Sequence, residues 1–171
     1  MSSAEQPAPD TGAPVTPLGW FAFALAAAWV GLDQATKYWI LQVVHLPVRG
    51  SVPVLPFFNL SMVWNRGVSF GLLRAEEDLA RWGLALFALA VAVALGFWAR
   101  RTRGWLTALA FGLLMGGAVG NAIDRARFGA VADFLDFSAL HFPWVFNVAD
   151  CGVTVGVALL LLDSLVGARK S

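Results

Sequence analysis

Four long apolar stretches alternate with more polar connections along the chain. They cover residues 18–44, 82–99, 104–123 and 146–166. Each is close to the ~20 residues that an α-helix needs to cross about 30 Å of hydrocarbon. The pattern therefore predicts an all-α integral membrane protein with four transmembrane helices.

The two longer connections are more than simple turns between helices. Residues 45–81 contain three prolines, which break helices, and residues 57–70 are rich in β-branched and aromatic side chains. We predict a small β-like platform here, between helices 1 and 2, with a turn at Asn65-Arg66-Gly67. Residues 124–145 mix aromatic and acidic side chains, which indicates a second amphipathic loop.

Charge at the ends of the apolar stretches predicts the orientation of the chain. The short turn at residues 100–103 and the C-terminal Arg169-Lys170 are basic, and basic segments tend to stay in the cytoplasm. We therefore expect both termini in the cytoplasm and the two longer loops on the outer face. We predict that residues 1–17 form a disordered cytoplasmic tail and that residues 18–166 form a single membrane domain. Residues 167–171 are expected to form a second short cytoplasmic tail.

Composition excludes several classes of protein. Hydrophobic residues make up 58% of the 171 residues, charged residues make up 13%, and the net charge is +1. A soluble globule of this size cannot bury so much apolar surface, and no basic face is available for nucleic acid. A single cysteine, Cys151, excludes an internal disulfide framework. His45 and His141 are isolated, so we expect neither a metal site nor a cofactor.

Polar residues at the edges of the apolar stretches are the candidates for chemistry. An acid at the centre of a membrane helix costs roughly 2.5–3.5 kcal/mol on insertion scales, so such residues normally face the interior of the bundle. Asp33 and Lys37 are four residues apart, the spacing of a helical ion pair. Asn121, Asp124 and Arg125 fall on one face of the third helix, beside a stripe of glycines that allows close helix approach.

Asp133 and Asp150 are the strongest pair of acids. Asp150 lies one turn into the fourth helix, where the helix dipole favours an anion, and Asn147 lies one turn before it. Two carboxylates that converge can share one proton, so that one deprotonates water while the other donates a hydrogen bond to a carbonyl. This arrangement fits a hydrolase. A transporter or proton relay that uses the same acids, or a noncatalytic binding scaffold, remains open on the residues alone.

Five blocks of the chain, taken in order, resemble the bacterial lipoprotein signal peptidases, also called signal peptidase II. The blocks carry the polar residues described above, and they lie at residues 33–37, 65–71, 116–125, 129–134 and 146–150. Together they place the resemblance over residues 18–166, in a layout of four helices.

The resemblance implies a multi-pass aspartic endopeptidase of the bacterial inner membrane, with periplasmic loops and an active site toward the outer leaflet. It implies cleavage of prolipoproteins just before a cysteine that carries diacylglycerol. The implied partners are these substrates and membrane lipid, for an enzyme expected to be a monomer. Asp133 and Asp150 are the implied catalytic pair. The implied supporting residues are Asp33, Lys37, Asn65, Asn121, Asp124, Arg125 and Asn147.

Overall fold

The computed structural model describes residues 14–67 and 74–168. Helices make up most of this part of the chain. They are α1 (Pro17–Tyr38), which continues as a π-helical turn (Trp39–Val43), α2 (Leu46–Arg49), α3 (Arg74–Ala99), α4 (Trp105–Phe128) and α5 (Val148–Ala168).

Within the described residues, four helical segments are long and apolar enough to cross a membrane. These segments are Pro17–Val43, Asp78–Ala99, Trp105–Phe128 and Val148–Val166. The mostly helical membrane fold predicted from the sequence is therefore confirmed at this level.

The limits of several elements differ from the predicted ones. Helix α3 begins at Arg74 rather than at residue 82, and α4 continues five residues beyond 123 to Phe128. The residues added to these helices are largely Ala, Arg, Glu and Leu, which favour helix although they lie outside the apolar stretches. Helix α5 begins at Val148, not at residue 146, because Val145–Phe146 form a strand.

The predicted disordered tail also ends earlier than expected. The Thr16 side chain caps α1 by accepting a hydrogen bond from the Gly19 amide at 3.0 Å. The same hydroxyl donates to the Thr102 carbonyl oxygen at 2.7 Å. Residues 14–17 are thus part of the fold, whereas residues 1–13 of the predicted tail lie outside the described residues.

Helix α4 is the central helix, and it packs against α1, α3 and α5. Its glycines allow this close approach, as the sequence predicted. A Cβ at Gly116 would lie 2.7 Å from the Trp29 Cβ on α1, and one at Gly120 would lie 2.6 Å from Asp33 Oδ2. The glycine face thus brings the backbone of α4 directly against the acid of α1.

Among the residues that the structure describes, four strands form one antiparallel sheet in the order β1-β2-β3-β4. They are β1 (Ser51–Leu55), β2 (Phe58–Asn65), β3 (Val131–Asp136) and β4 (Val145–Phe146). The prediction placed the platform only between helices 1 and 2. This was incomplete, because β3 and β4 come from the connection before α5. A lone hairpin is marginal in water, and here β3 extends it by pairing with β2.

The predicted turn at Asn65-Arg66-Gly67 is confirmed. Gly67 has a φ of 82° and donates its amide to Asn65 Oδ1 at 2.8 Å, as in an Asx turn. The stretch of 57–70 beyond this turn lies outside the described residues. Ile40, Leu46, Leu60 and Phe134 form a buried apolar cluster. This cluster packs the sheet against the end of the first helical segment.

Candidate active site

Asp133 lies in the middle of β3 and is almost fully buried. Its Oδ1 accepts a hydrogen bond of 2.6 Å from Asn147 Nδ2, and its carboxyl is also hydrogen-bonded to the side chain of Asn65. Val63 pairs with Asp133 across the sheet, which puts Asn65 on the same face as Asp133 and diagonal to it. The sheet therefore places one acid and one amide of the predicted site together.

Asp150 is held at the start of α5 by a capping box. The Asp150 amide donates to Asn147 Oδ1 at 3.0 Å, and the Asn147 amide donates back to Asp150 Oδ2 at 3.3 Å. This reciprocal pair satisfies two amides of the first turn. The other oxygen, Asp150 Oδ1, accepts a hydrogen bond of 2.8 Å from Asn121 Nδ2 on α4. Both carboxylate oxygens are thus fixed in position.

Asn147 connects the two acids. One side-chain amide donates to Asp133, accepts from the Asp150 backbone and reaches Asn121 Oδ1 at 3.2 Å. The side chain is completely buried, so these hydrogen bonds are shielded from water and strongly constrain its orientation. The structure therefore brings the predicted acid pair together around one asparagine.

Burial and charge act in the same direction on Asp133. Burial and, after it, the nearby charge of Asp150 raise the pKa of Asp133 to about 6, against the hydrogen bonds from Asn65 and Asn147, which lower it. A carboxyl with such a pKa keeps its proton at pH values where an ordinary Asp has lost it. This is the property that a general acid in a carboxyl pair requires.

Behind the acid pair lies a buried brace of charged residues, formed by Asp33, Lys37 and Asp124. Lys37 Nζ lies 2.9 Å from Asp33 Oδ2 and 2.8 Å from Asp124 Oδ2. Lys37 also donates to Asn121 Oδ1 at 3.4 Å. The helical ion pair predicted at Asp33 and Lys37 is confirmed, and its lysine is shared with Asp124 on α4. The brace thus links α1 to the residues that hold Asp150.

Arg125 completes the predicted set. Its guanidinium is partly buried and close enough to Asp124, Asp133 and Asp150 to interact with their charges. NH1 lies 3.5 Å from the Asn121 carbonyl oxygen, while the buried Nε has no hydrogen-bond partner among the described residues. All nine residues that the sequence singled out therefore lie in one cluster.

Sequence reasoning missed Gln34. Its Nε2 donates to Asp33 Oδ2 and to Asp124 Oδ1, each at 3.1 Å. The signal was available, because an uncharged amide beside Asp33 interrupts the first apolar stretch without an evident partner. Its partners are on α4, however, and spacing along one helix does not reveal them.

In the part of the chain that the structure describes, no group of three or more His, Cys, Asp or Glu side chains is placed to hold a metal ion. His45 and His141 both have positive φ values and lie at the ends of short helical turns, outside the acid cluster. Neither histidine belongs to the network of hydrogen bonds around Asp133 and Asp150.

Comparison with known proteins decides the family. The model of the family described as Signal peptidase (SPase) II matches residues 25–166. The chain belongs to the signal peptidase II family. Membership makes it an aspartic peptidase, and it favours the peptidase over the transporter that the residues alone left open. With four apolar helices, the chain is a multi-pass bacterial membrane protein.

Individual relatives agree with this assignment. A lipoprotein signal peptidase of Caulobacter vibrioides is 49% identical over 157 residues, which cover 91% of this chain and 93% of the relative. One from Methylobacterium sp. (strain 4-46) is 49% identical over 143 residues, with 83% and 87% coverage. A solved bacterial membrane enzyme superposes with a TM-score of 0.74 at 28% identity, covering 92% of this chain and 94% of that chain.

Proposed function

We propose that, in the removal of signal peptides from prolipoproteins that defines this family, Asp133 and Asp150 of this chain cleave the peptide bond just before a cysteine that carries diacylglycerol. The observation that carries the proposal is the position of Asn147. Its side chain donates to Asp133 at 2.6 Å, and its backbone amide donates to Asp150 at 3.3 Å. Two carboxylates from different elements are thereby held at one place.

The roles of the two acids follow from their surroundings. Asp133, with a pKa raised to about 6, carries the shared proton. Asp150 removes a proton from a water molecule, and the resulting hydroxide attacks the scissile carbonyl carbon. Asp133 gives its proton to the carbonyl oxygen, which yields an uncharged tetrahedral intermediate.

Collapse of the intermediate restores both acids. The carbon–nitrogen bond breaks while Asp150 passes its proton to the leaving amine of the lipidated cysteine. Asp133 takes back the proton of the hydroxyl group as the new carboxyl forms. The Arg125 guanidinium, which is close enough to Asp133 and Asp150 to interact with their charges, helps to hold the acid pair.

Placement of the site supports an orientation. The acid cluster lies at the C-terminal end of α4, and the basic turn at residues 100–103 precedes its N-terminal end. A helix of 24 residues is about 36 Å long, so the two ends face opposite sides of a bilayer. By the tendency of basic segments to stay inside, the site is toward the outer leaflet and both termini are cytoplasmic.

The site also supports a monomeric enzyme in contact with membrane lipid. All nine clustered residues come from one chain, so a monomer contains the complete acid network. An active site at the membrane edge lets the acyl chains of the substrate stay in the bilayer while the peptide reaches the acids. This geometry supports a substrate whose cysteine is lipidated before cleavage.

The decisive experiment uses Asp133→Asn and Asp150→Asn in purified protein, with a diacylglyceryl prolipoprotein as substrate. Both variants should lose at least about 10³-fold in kcat, because each removes one member of the proton-sharing pair. Asp78→Asn, at an exposed position on α3, is the matched control and should cleave like the wild type. Cleavage near the wild-type rate by either active-site variant would show that the pair is misassigned.

Two further controls, one on the substrate and one on metal ions, make the test more specific. The same prolipoprotein without diacylglycerol should be cleaved far more slowly. A chelator should leave the rate unchanged, because carboxyl groups activate the water in this mechanism. Loss of activity in the chelator would favour a metal mechanism instead.

A further inference from the structure

Gln34 is a polar residue of α1 for which the proposed reaction has no role. Its Nε2 lies 3.1 Å from Asp33 Oδ2 and 3.1 Å from Asp124 Oδ1, and its Oε1 accepts from Arg127 NH1 at 3.3 Å. Gln34 therefore joins the two carboxylates of the brace and extends the network to the outer end of α4.

The chemistry of these partners determines the orientation of the amide. Ionised carboxylates only accept hydrogen bonds, and a guanidinium only donates them. The amide nitrogen must therefore face Asp33 and Asp124, and the amide oxygen must face Arg127. The Nε2 also lies 3.4 Å from the Gly120 carbonyl oxygen, another acceptor. A carboxyl or an aliphatic side chain of the same size cannot satisfy both the acceptors and the guanidinium at neutral pH.

The two carboxylates that Gln34 joins hold the two segments that carry the acid pair. Asp33 Oδ1 accepts from the Ala149 amide at 2.9 Å, and Asp124 Oδ2 accepts from the Ala132 amide at 3.1 Å. Lys37 supplies a cation between these like charges, and Gln34 supplies two further donors. A change in the separation of Asp33 and Asp124 would move the backbone next to both proposed catalytic residues.

The outer end of this network is also held. The Arg127 guanidinium lies over the Phe128 ring, 4.9 Å from its centroid, and Phe128 packs against Trp64 with the ring centroids 5.6 Å apart. Trp64 precedes Asn65 on β2, so the same contacts reach the sheet that carries Asp133.

We propose that Gln34 is a positioning residue of the peptidase. By tying Asp33 to Asp124, with Arg127 holding its amide oxygen, it sets the distance between the segments that carry Asp150 and Asp133. The inference rests on the proposed function, because it assigns Gln34 an effect on the geometry of that acid pair.

The test compares Gln34→Leu, Gln34→Glu and the matched control Gln42→Leu, which makes the same replacement at an exposed glutamine in the π-helical turn. Gln34→Leu should lower kcat about tenfold, since small errors in the placement of reacting groups are costly. KM should stay within about twofold, because Gln34 is not expected to touch substrate. Gln42→Leu should behave like the wild type.

Gln34→Glu adds a readout that a purely structural residue would not change. The introduced carboxyl faces Asp33 and Lys37 on α1 and Asp124 and Arg127 on α4. While it is ionised it repels the two acids, so kcat should fall below that of Gln34→Leu at pH 8. Once protonated it can donate again, so the ratio of variant to wild-type kcat should rise as the pH is lowered to 5.

The outcomes separate this inference from the proposed function. Suppose that the wild type and Asp133→Asn behave as proposed. The role of Gln34 is then overturned by any of three results: a wild-type kcat in Gln34→Leu, an equal loss of kcat in Gln42→Leu, or a kcat ratio for Gln34→Glu that does not change with pH. If the wild type fails to cleave, the proposed function falls and this inference falls with it. If Gln34→Leu does not fold, the pH dependence of Gln34→Glu decides.

Discussion

Asp33 and Asp124 hold equivalent positions relative to the acid pair. Asp33 accepts a hydrogen bond from the amide of Ala149, the residue before Asp150, and Asp124 accepts one from the amide of Ala132, the residue before Asp133. Lys37 then binds both carboxylates. The charged brace is thus connected to the backbone on each side of the site, which explains why acids outside the reaction are buried here.

The brace should be a major source of stability. In Lys37→Met, Asp33 and Asp124 remain buried without their cation, and removal of one partner from a buried ion pair costs about 3–5 kcal/mol. We expect a large drop in the free energy of unfolding, measured by denaturant titration in detergent micelles. The triple variant Lys37→Met, Asp33→Asn and Asp124→Asn should recover part of the stability. A Lys37→Met protein as stable as the wild type would contradict this account.

Asn147 should have separable effects on stability and catalysis. Asn147→Ala removes the cap of α5, worth about 1 kcal/mol, and the donor to Asp133, so we expect kcat to fall by about 10²-fold or more. Asn147→Ser retains a capping oxygen and should restore the thermal midpoint without restoring kcat. Full activity in the serine variant would mean that the hydrogen bond from the Asn147 amide to Asp133 is not needed for catalysis.

The pH dependence should report the proton on Asp133. Its pKa is raised to about 6, so the protonated form is present below this pH and is lost as the pH rises through it. We expect kcat/KM, which reflects the free enzyme, to fall on the alkaline side of about pH 6. The Asn65 hydrogen bond lowers this pKa, so Asn65→Ala should move the alkaline limb to higher pH. A shift in the opposite direction would argue against Asp133 as the acid.

Asp133 should also make stability depend on pH. Because its pKa is higher in the folded protein than the usual value of 3.8, the folded state binds more protons between these two values, and stability falls as the pH rises through that window. The amide introduced by Asp133→Asn is uncharged at every pH. The thermal midpoint of this variant should therefore exceed that of the wild type by more at pH 8 than at pH 4. An advantage that does not change with pH would exclude this explanation.

The glycine face of α4 should tolerate no side chain at Gly120. A Cβ there would lie 2.6 Å from Asp33 Oδ2 and 3.3 Å from the Ala149 Cβ, so Gly120→Ala should displace the brace and reduce both stability and kcat. Gly31→Ala on α1 is the matched control, since a Cβ there has nothing within 4 Å and should stabilise the helix by about 0.5–1 kcal/mol. Thermal unfolding and peptidase assays on both variants measure the contrast.

Local patterns were sufficient for the helices and for the list of polar residues. Four apolar stretches of the length of a membrane crossing, and acids that should not face lipid, can both be identified one segment at a time. The ends of the helices were less predictable. Helix α4 runs on through Asp124 and Arg125 although both are charged. Asp124 is paired there with Lys37 and Gln34 of α1, and these partners are far away in sequence.

The sheet shows the same limit. Strand β2 has a local signature in its β-branched and aromatic residues, whereas β3 (Val131–Asp136) is buried almost throughout and lacks a clear alternation. Its strand conformation depends on pairing with β2, about 70 residues earlier in the chain. Gln34 was missed for a related reason, because its carboxylate partner Asp124 is on another helix.

The amino-acid order alone determined the membrane class, the family resemblance and the residues available for chemistry. Hydrophobic length, residue type and short-range spacing are properties of the linear chain. Folding determines which of those residues meet. Asp133 and Asp150 become a pair only because Asn147 joins a strand to a helix, and because Asp33, Lys37 and Asp124 hold both backbones. Hydrogen bonds and ion pairs act over about 3 Å, so their partners are set by tertiary packing.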